Sequence, residues 1–106
     1  MTNNTILNCA IYWKNRLSDH PFGLEVIVYV ENLPEDYMII FLFWRKSPSK
    51  KVLFRYTLWI PKSPLDVAIQ QINHIMDQRY FQLVDCCALE DHQFIPRENE
   101  SLEMER

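Results

Sequence analysis

The sequence predicts an α+β fold: an antiparallel sheet of about five strands, in the order β-β-β-β-α-β, with one amphipathic helix packed on one face. Three observations carry this expectation. Runs rich in Val, Ile and aromatic residues fill most of the chain before residue 61, and polar connections holding Pro, Gly or Ser separate them. The segment "SPLDVAIQQINHIMDQR" instead repeats its apolar residues every three or four positions, as a helix does. The stretch "YMIIFLFW", Tyr37 to Trp44, contains no charged residue, whereas a strand with one face in water should alternate.

Taken in order, Thr5 to Trp13, "TILNCAIYW", shows period-2 signals and β-formers and is expected as a strand. Lys14 to Gly23 is expected as a polar loop. Its Gly23, the chain's one glycine, suits a turn or bulge conformation that a side chain would hinder. Leu24 to Asn32, "LEVIVYVEN", reads as a second strand with Leu24, Val26, Val28 and Val30 on one face. Glu25, Ile27, Tyr29 and Glu31 share the other, a mixed and partly wet face. "LPED" is a turn signal, since Pro34 fixes φ and Asp36 can accept local backbone hydrogen bonds.

Two strands, 37–45 and 52–60, then form a hairpin about the loop "KSPSKK". In the first, Tyr37, Ile39, Phe41, Phe43 and Arg45 point one way and Met38, Ile40, Leu42 and Trp44 the other, so both faces are apolar. In the second, Val52, Phe54, Tyr56, Leu58 and Ile60 oppose Leu53, Arg55, Thr57 and Trp59. The helix follows, with Ser63 as N-cap, Pro64 at its first position and Asp66 near the positive end of the dipole. Leu65, Ala68, Ile69, Ile72, Ile75 and Met76 form its apolar stripe. Tyr80 to Leu89, "YFQLVDCCAL", is expected as the last strand.

The 106 residues make room for one domain, able to bury roughly two thirds of its unfolded surface. A hydrophobic content of 48% is that of a folded chain. Residues 1–88 carry nine Lys or Arg against eight Asp or Glu, whereas residues 89–106 carry two against six. The acidity therefore belongs to the end, and the division expected is a domain over 1–89 followed by an acidic, flexible tail over 90–106. The longest apolar run falls far short of the ~20 residues of a membrane-spanning helix. "MTNNT" supplies no positive n-region of a secretory signal. The expected compartment is the cytoplasm, or the nucleus in a eukaryote, with no membrane contact.

One glycine excludes the glycine-rich loops that hold phosphates, so no nucleotide cofactor is expected. His20, His74 and His92 lie in no HxxxH or HxH pattern, and no GxSxG occurs. Cys9, Cys86 and Cys87 are too few and too irregular for a disulfide framework. Cys86, Cys87, Glu90, Asp91 and His92 are the one dense group of ligand-type residues, but their spacing matches no known site class. The expectation is no catalytic residue, no metal and no cofactor.

The hairpin offers more. Arg45, Lys46, Lys50 and Lys51 surround its tip, Arg55 follows, and Phe41, Phe43, Trp44 and Trp59 supply aromatic surface. Cations neutralise phosphates and aromatic rings stack on unpaired bases, so a nucleic-acid binder using residues 44–62 is one reading. The doubly apolar strand favours another. One helix covers one sheet face, and the second must be covered by the chain's own ends, by curling of the sheet, or by another molecule. The function expected is therefore a small, non-enzymatic protein–protein interaction module of the adaptor, inhibitor or assembly-factor kind. It would bind through Phe41, Phe43, Trp44, Arg45, Lys46, Lys50, Lys51, Arg55 and Trp59, as a homodimer or with a protein partner.

Overall fold

Ile6, Ala10, Trp13 and Leu17 recur every three or four residues, and all four are buried. That spacing is a helical stripe, and it overrides the period-2 signal of "TILNCAIYW": the expected first strand is a helix. The computed structural model describes residues 2–18, 24–45, 51–89 and 94–104. Its elements are α1 (Thr2–Ser18), β1 (Leu24–Asn32), β2 (Asp36–Arg45), β3 (Lys51–Pro61), α2 (Leu65–Leu89) and β4 (Glu100–Met104). The class is α+β as expected, but among the described residues the sheet has four strands and two helices accompany it. Gly23, His20 and the hairpin tip 46–50 lie outside the described residues.

The last expected strand is also helical, because α2 runs on through "YFQLVDCCAL". Ala68, Ile72, Met76, Arg79, Leu83 and Cys86 extend one stripe at three- and four-residue steps, and each is buried. Arg79 interrupts the apolar pattern of that stripe, which is why the helix reads as ending there in sequence. At the other end, the amide of Ala68 donates to the carbonyl of Pro64 at 3.1 Å, so that α2 begins at Leu65 with Pro64 in the cap position, one residue later than expected.

The strands pair antiparallel in the order β1-β2-β3-β4. The expected turn at "LPED" joins β1 to β2, with the Leu33 amide donating to the Asp36 carbonyl at 2.9 Å. A register shift between Phe43 and Trp44 places Val52 opposite Trp44 and Phe54 opposite Phe43, a bulge in β3 near the hairpin tip. Tyr37, Ile39, Phe41 and Phe43 of β2 face the core with Phe54, Tyr56, Leu58 and Ile60 of β3. Both helices pack on that same side, with Trp13, Leu17, Ile72 and Met76 in one continuous core. The Phe43 and Phe54 rings stack across the strands, 4.3 Å between centroids.

Residues 94–104, within the stretch expected as a flexible tail, belong to the fold. β4 adds to the edge of β3, pairing Arg55 with Glu103 and Leu58 with Glu100. A buried charge network holds it there. Glu100, on the core side of β4, accepts from Arg79 of α2 through Nε at 2.8 Å and Nη2 at 2.6 Å. It also accepts from the Tyr56 hydroxyl and, at 2.9 Å, from the Arg97 amide. Two further donors of Arg79 go to the Ile95 carbonyl at 2.9 Å and Gln82 Oε1 at 2.5 Å, and its guanidinium lies 4.0 Å over the Phe94 ring. A bidentate, fully bonded pair of this kind is what lets two charges be buried together.

The same contacts set the protonation states. Burial pushes the Glu100 carboxyl up, but hydrogen bonds from Arg79, Tyr56 and the Arg97 amide outweigh it, and its pKa lies below the ordinary 4.5. Arg79 is raised, chiefly by its hydrogen bonds to Glu100. Tyr56 is raised by burial first and by Glu100 second, so it stays a neutral donor.

Removing one partner leaves the other charge buried, so Glu100→Ala is expected to cost about 3–5 kcal/mol in urea unfolding. Replacing Arg79 and Glu100 together by Met and Leu is expected to recover most of that loss. Since the folded pKa of Glu100 is depressed, its contribution is fully present above pH 4.5 and is lost as the pH falls through the folded value. Unfolding midpoints of the wild type and the double variant should therefore lie close together above that pH and separate below it, the wild type falling further.

Candidate functional site

Because both helices share one side of the sheet, the other side is left without a covering element among the described residues. Strand alternation determines what lies on it. Val26, Val28 and Val30 pack toward the core, so Glu25, Ile27, Tyr29 and Glu31 of β1 face outward. Met38, Ile40, Leu42 and Trp44 of β2 join them, as do Arg55, Thr57 and Trp59 of β3 and Ser101 and Glu103 of β4. The pairing aligns Ile27, Leu42, Arg55 and Glu103 in one row and Tyr29, Ile40, Thr57 and Ser101 in the next.

The centre of this face is apolar and the borders are charged. Met38, Ile40, Leu42, Trp44 and Trp59 are half-buried by their neighbours, and Tyr29 is 50% exposed. Glu25 and Glu31 stand at the two ends of the β1 border. On the β4 border Arg55 reaches Glu103 at 3.7 Å. The indole N–H of Trp44 is buried and has no hydrogen-bond acceptor among the described residues. A large apolar side chain moved from full exposure to a full cover contributes roughly 1.5–3 kcal/mol, and five half-buried neighbours on one sheet face, each contributing part of that, make a surface that favours association.

The residues expected to meet a partner divide between the two sides. Trp44, Arg55 and Trp59 lie on the open face. Phe41 and Phe43 lie in the core, with exposures of 0% and 1%, where α1 and α2 already cover them. Lys46 and Lys50 fall outside the described residues, as do the side chains of Arg45 and Lys51. Sequence reasoning did not assign Ile27, Tyr29, Met38, Ile40 or Leu42 to the site. Alternation had already grouped them by face, and the missing fact was that the first segment is a second helix on the same side as α2.

Other hollows among the described residues carry polar groups, several of them paired. Between α1 and α2 lies a groove of about 600 Å³. There Asn73 Oδ1 accepts from the Trp13 indole at 2.8 Å and from the Cys9 thiol at 3.5 Å. Arg16 fills the space between the Trp13 and Tyr80 rings, 4.8 and 4.7 Å away, with Asp77 at 3.9 Å. Burial pushes the Cys9 thiol up, away from the thiolate form that reacts. A second hollow gathers Asp36, Trp59, Pro61, His74 and Glu98. His74 there lies 3.2 Å from Gln78 on its own helix.

Among the described residues, no three His, Cys, Asp or Glu side chains converge as a metal site, and no helix is long and apolar enough to cross a membrane. Of the dense group 86–92, Cys86 is buried against the core; the Cys87 side chain and residues 90–93, His92 among them, lie outside the described residues.

The two sides of β2 should respond differently to truncation. Phe43→Ala is expected to lower stability by about 3–5 kcal/mol, and Ile40→Ala by about 1 kcal/mol, in chemical denaturation of the isolated chain. Comparable losses at both positions would mean that the open face is covered within the chain. No protein-family model matches the sequence, and no curated protein and no solved structure shows significant similarity to it.

Proposed function

We propose that this chain is a non-enzymatic protein–protein interaction module, and that the open face of its sheet is the docking surface. One observation carries the reading: both helices occupy one side of the sheet, so Met38, Ile40, Leu42, Trp44 and Trp59 form an apolar centre that no described element covers. A sheet apolar on both sides is stable when both are covered, and a partner can supply the second layer. A second copy is one such partner, the one the sequence led us to expect.

The nucleic-acid reading is weaker on this geometry. Aromatic residues on an open sheet can stack on bases, but here they stand among Glu25, Glu31 and Glu103 with Arg55 as the one described cation of the face. The described charges of this face do not favour phosphates, and the tip cations Arg45, Lys46, Lys50 and Lys51 that the reading calls on lie outside the described side chains.

Leu42→Lys puts a charge at the centre of the face without touching the core. It should leave the unfolding transition within about 1 kcal/mol of the wild type. Crosslinking in extracts of the cells that make the protein, with light scattering for self-association, should give adducts with the wild type that Leu42→Lys no longer forms. The same adducts should persist in Gln70→Lys, which alters the exposed side of α2. Formation of every adduct by the Leu42 variant would overturn the proposal.

A further inference from the structure

The distribution of charge on the open face narrows the partner, granted that the face is a docking surface. Glu25 and Glu31 mark the two ends of the β1 border, six residues and thus about 20 Å apart along the strand. The apolar column Met38, Ile40, Leu42 and Trp44 runs beside them over the same length. On the far border, Glu103 is offset by Arg55. Among the described side chains of the face the β1 side is therefore the acidic one, with Lys14 of α1 lining the same hollow as Glu25.

Among the described side chains, a second copy laid face to face would bring three carboxylates and one guanidinium from each chain into one interface, an excess of like charge that opposes it. A helix avoids this conflict. Its diameter of about 10–12 Å fits between borders that three strand spacings set about 14 Å apart. The same sheet already accepts helices on its other side. A span of about 20 Å corresponds to roughly 14 helical residues, or nearly four whole turns. Two side chains that far apart in sequence consequently lie on the same flank of the helix.

We infer that the partner presents an amphipathic helix of at least four turns, seated lengthwise over β2, with Lys or Arg near both ends of the flank that faces Glu25 and Glu31. The apolar stripe of that helix covers Met38, Ile40, Leu42 and Trp44. Its two cations select the register and direction by pairing with the two carboxylates.

The test uses labelled 18-residue amphipathic peptides that share one apolar stripe and carry either Lys or Glu at positions 2 and 16. Anisotropy reports their binding to the full chain. The Lys peptide is expected to bind at least tenfold more tightly than the Glu peptide at low salt, with the difference shrinking in about 0.5 M salt. In the Glu25→Lys/Glu31→Lys variant the preference is expected to reverse, and in Leu42→Lys neither peptide binds.

Equal affinity for the two peptides, or a preference unchanged by the double substitution, would overturn the inference. Failure of both peptides, accompanied by self-association that Leu42→Lys abolishes, would also overturn it and assign the face to a second copy, leaving the docking surface itself standing. Binding that Leu42→Lys does not weaken would remove both.

Discussion

The packing of two helices on one side of a single antiparallel sheet is the constraint from which the rest of the molecule follows. α1 supplies Ile6, Ala10, Trp13 and Leu17, and α2 supplies Ala68, Ile72, Met76 and Leu83, to one core against β2 and β3. Together the two helices are broad enough to bury that side of the central strands completely. With both helices used there, the sheet presents its other side outward, and β2 is apolar on that side too. Structure and proposed function thus share one origin in how the helical layer is distributed.

The Arg79, Glu100 and Tyr56 network determines how wide the sheet is. β4 is short, and its partly exposed residues would hold it weakly by themselves. What fastens it is a carboxylate on its core side, bonded by a guanidinium from α2 and a hydroxyl from β3. The segment before it is tied to the same centre, since Phe94 lies under the Arg79 guanidinium and against the Tyr56 ring. Through these contacts the acidic end of the chain becomes a border of the open face.

Much of this was legible in the sequence, and the failures share a cause. The strands around residues 24–60, the turn at "LPED" and the start of α2 follow from alternation and local turn chemistry, which act over a few residues. The first segment carries both a period-2 signal and the stripe Ile6, Ala10, Trp13 and Leu17, and tertiary burial decides between them. The length of α2 was hidden because Arg79 reads as a surface residue until Glu100 is seen beside it, 21 positions later. β4 was hidden for the same reason, since an acidic pentapeptide looks solvated until its one core-facing carboxylate has a partner. The doubly apolar character of β2 was plain, but which side remains open depends on where α1 lies.

The central claim is that the face bearing Met38, Trp44 and Trp59 is open in the chain and covered by a partner. Hydroxyl-radical footprinting of these three side chains tests it most directly, comparing dilute purified protein with the extract of cells that make it. The account predicts ready oxidation of all three in the dilute chain and protection of all three in the extract. Equal oxidation in both conditions, or protection already present in the dilute chain, would contradict it.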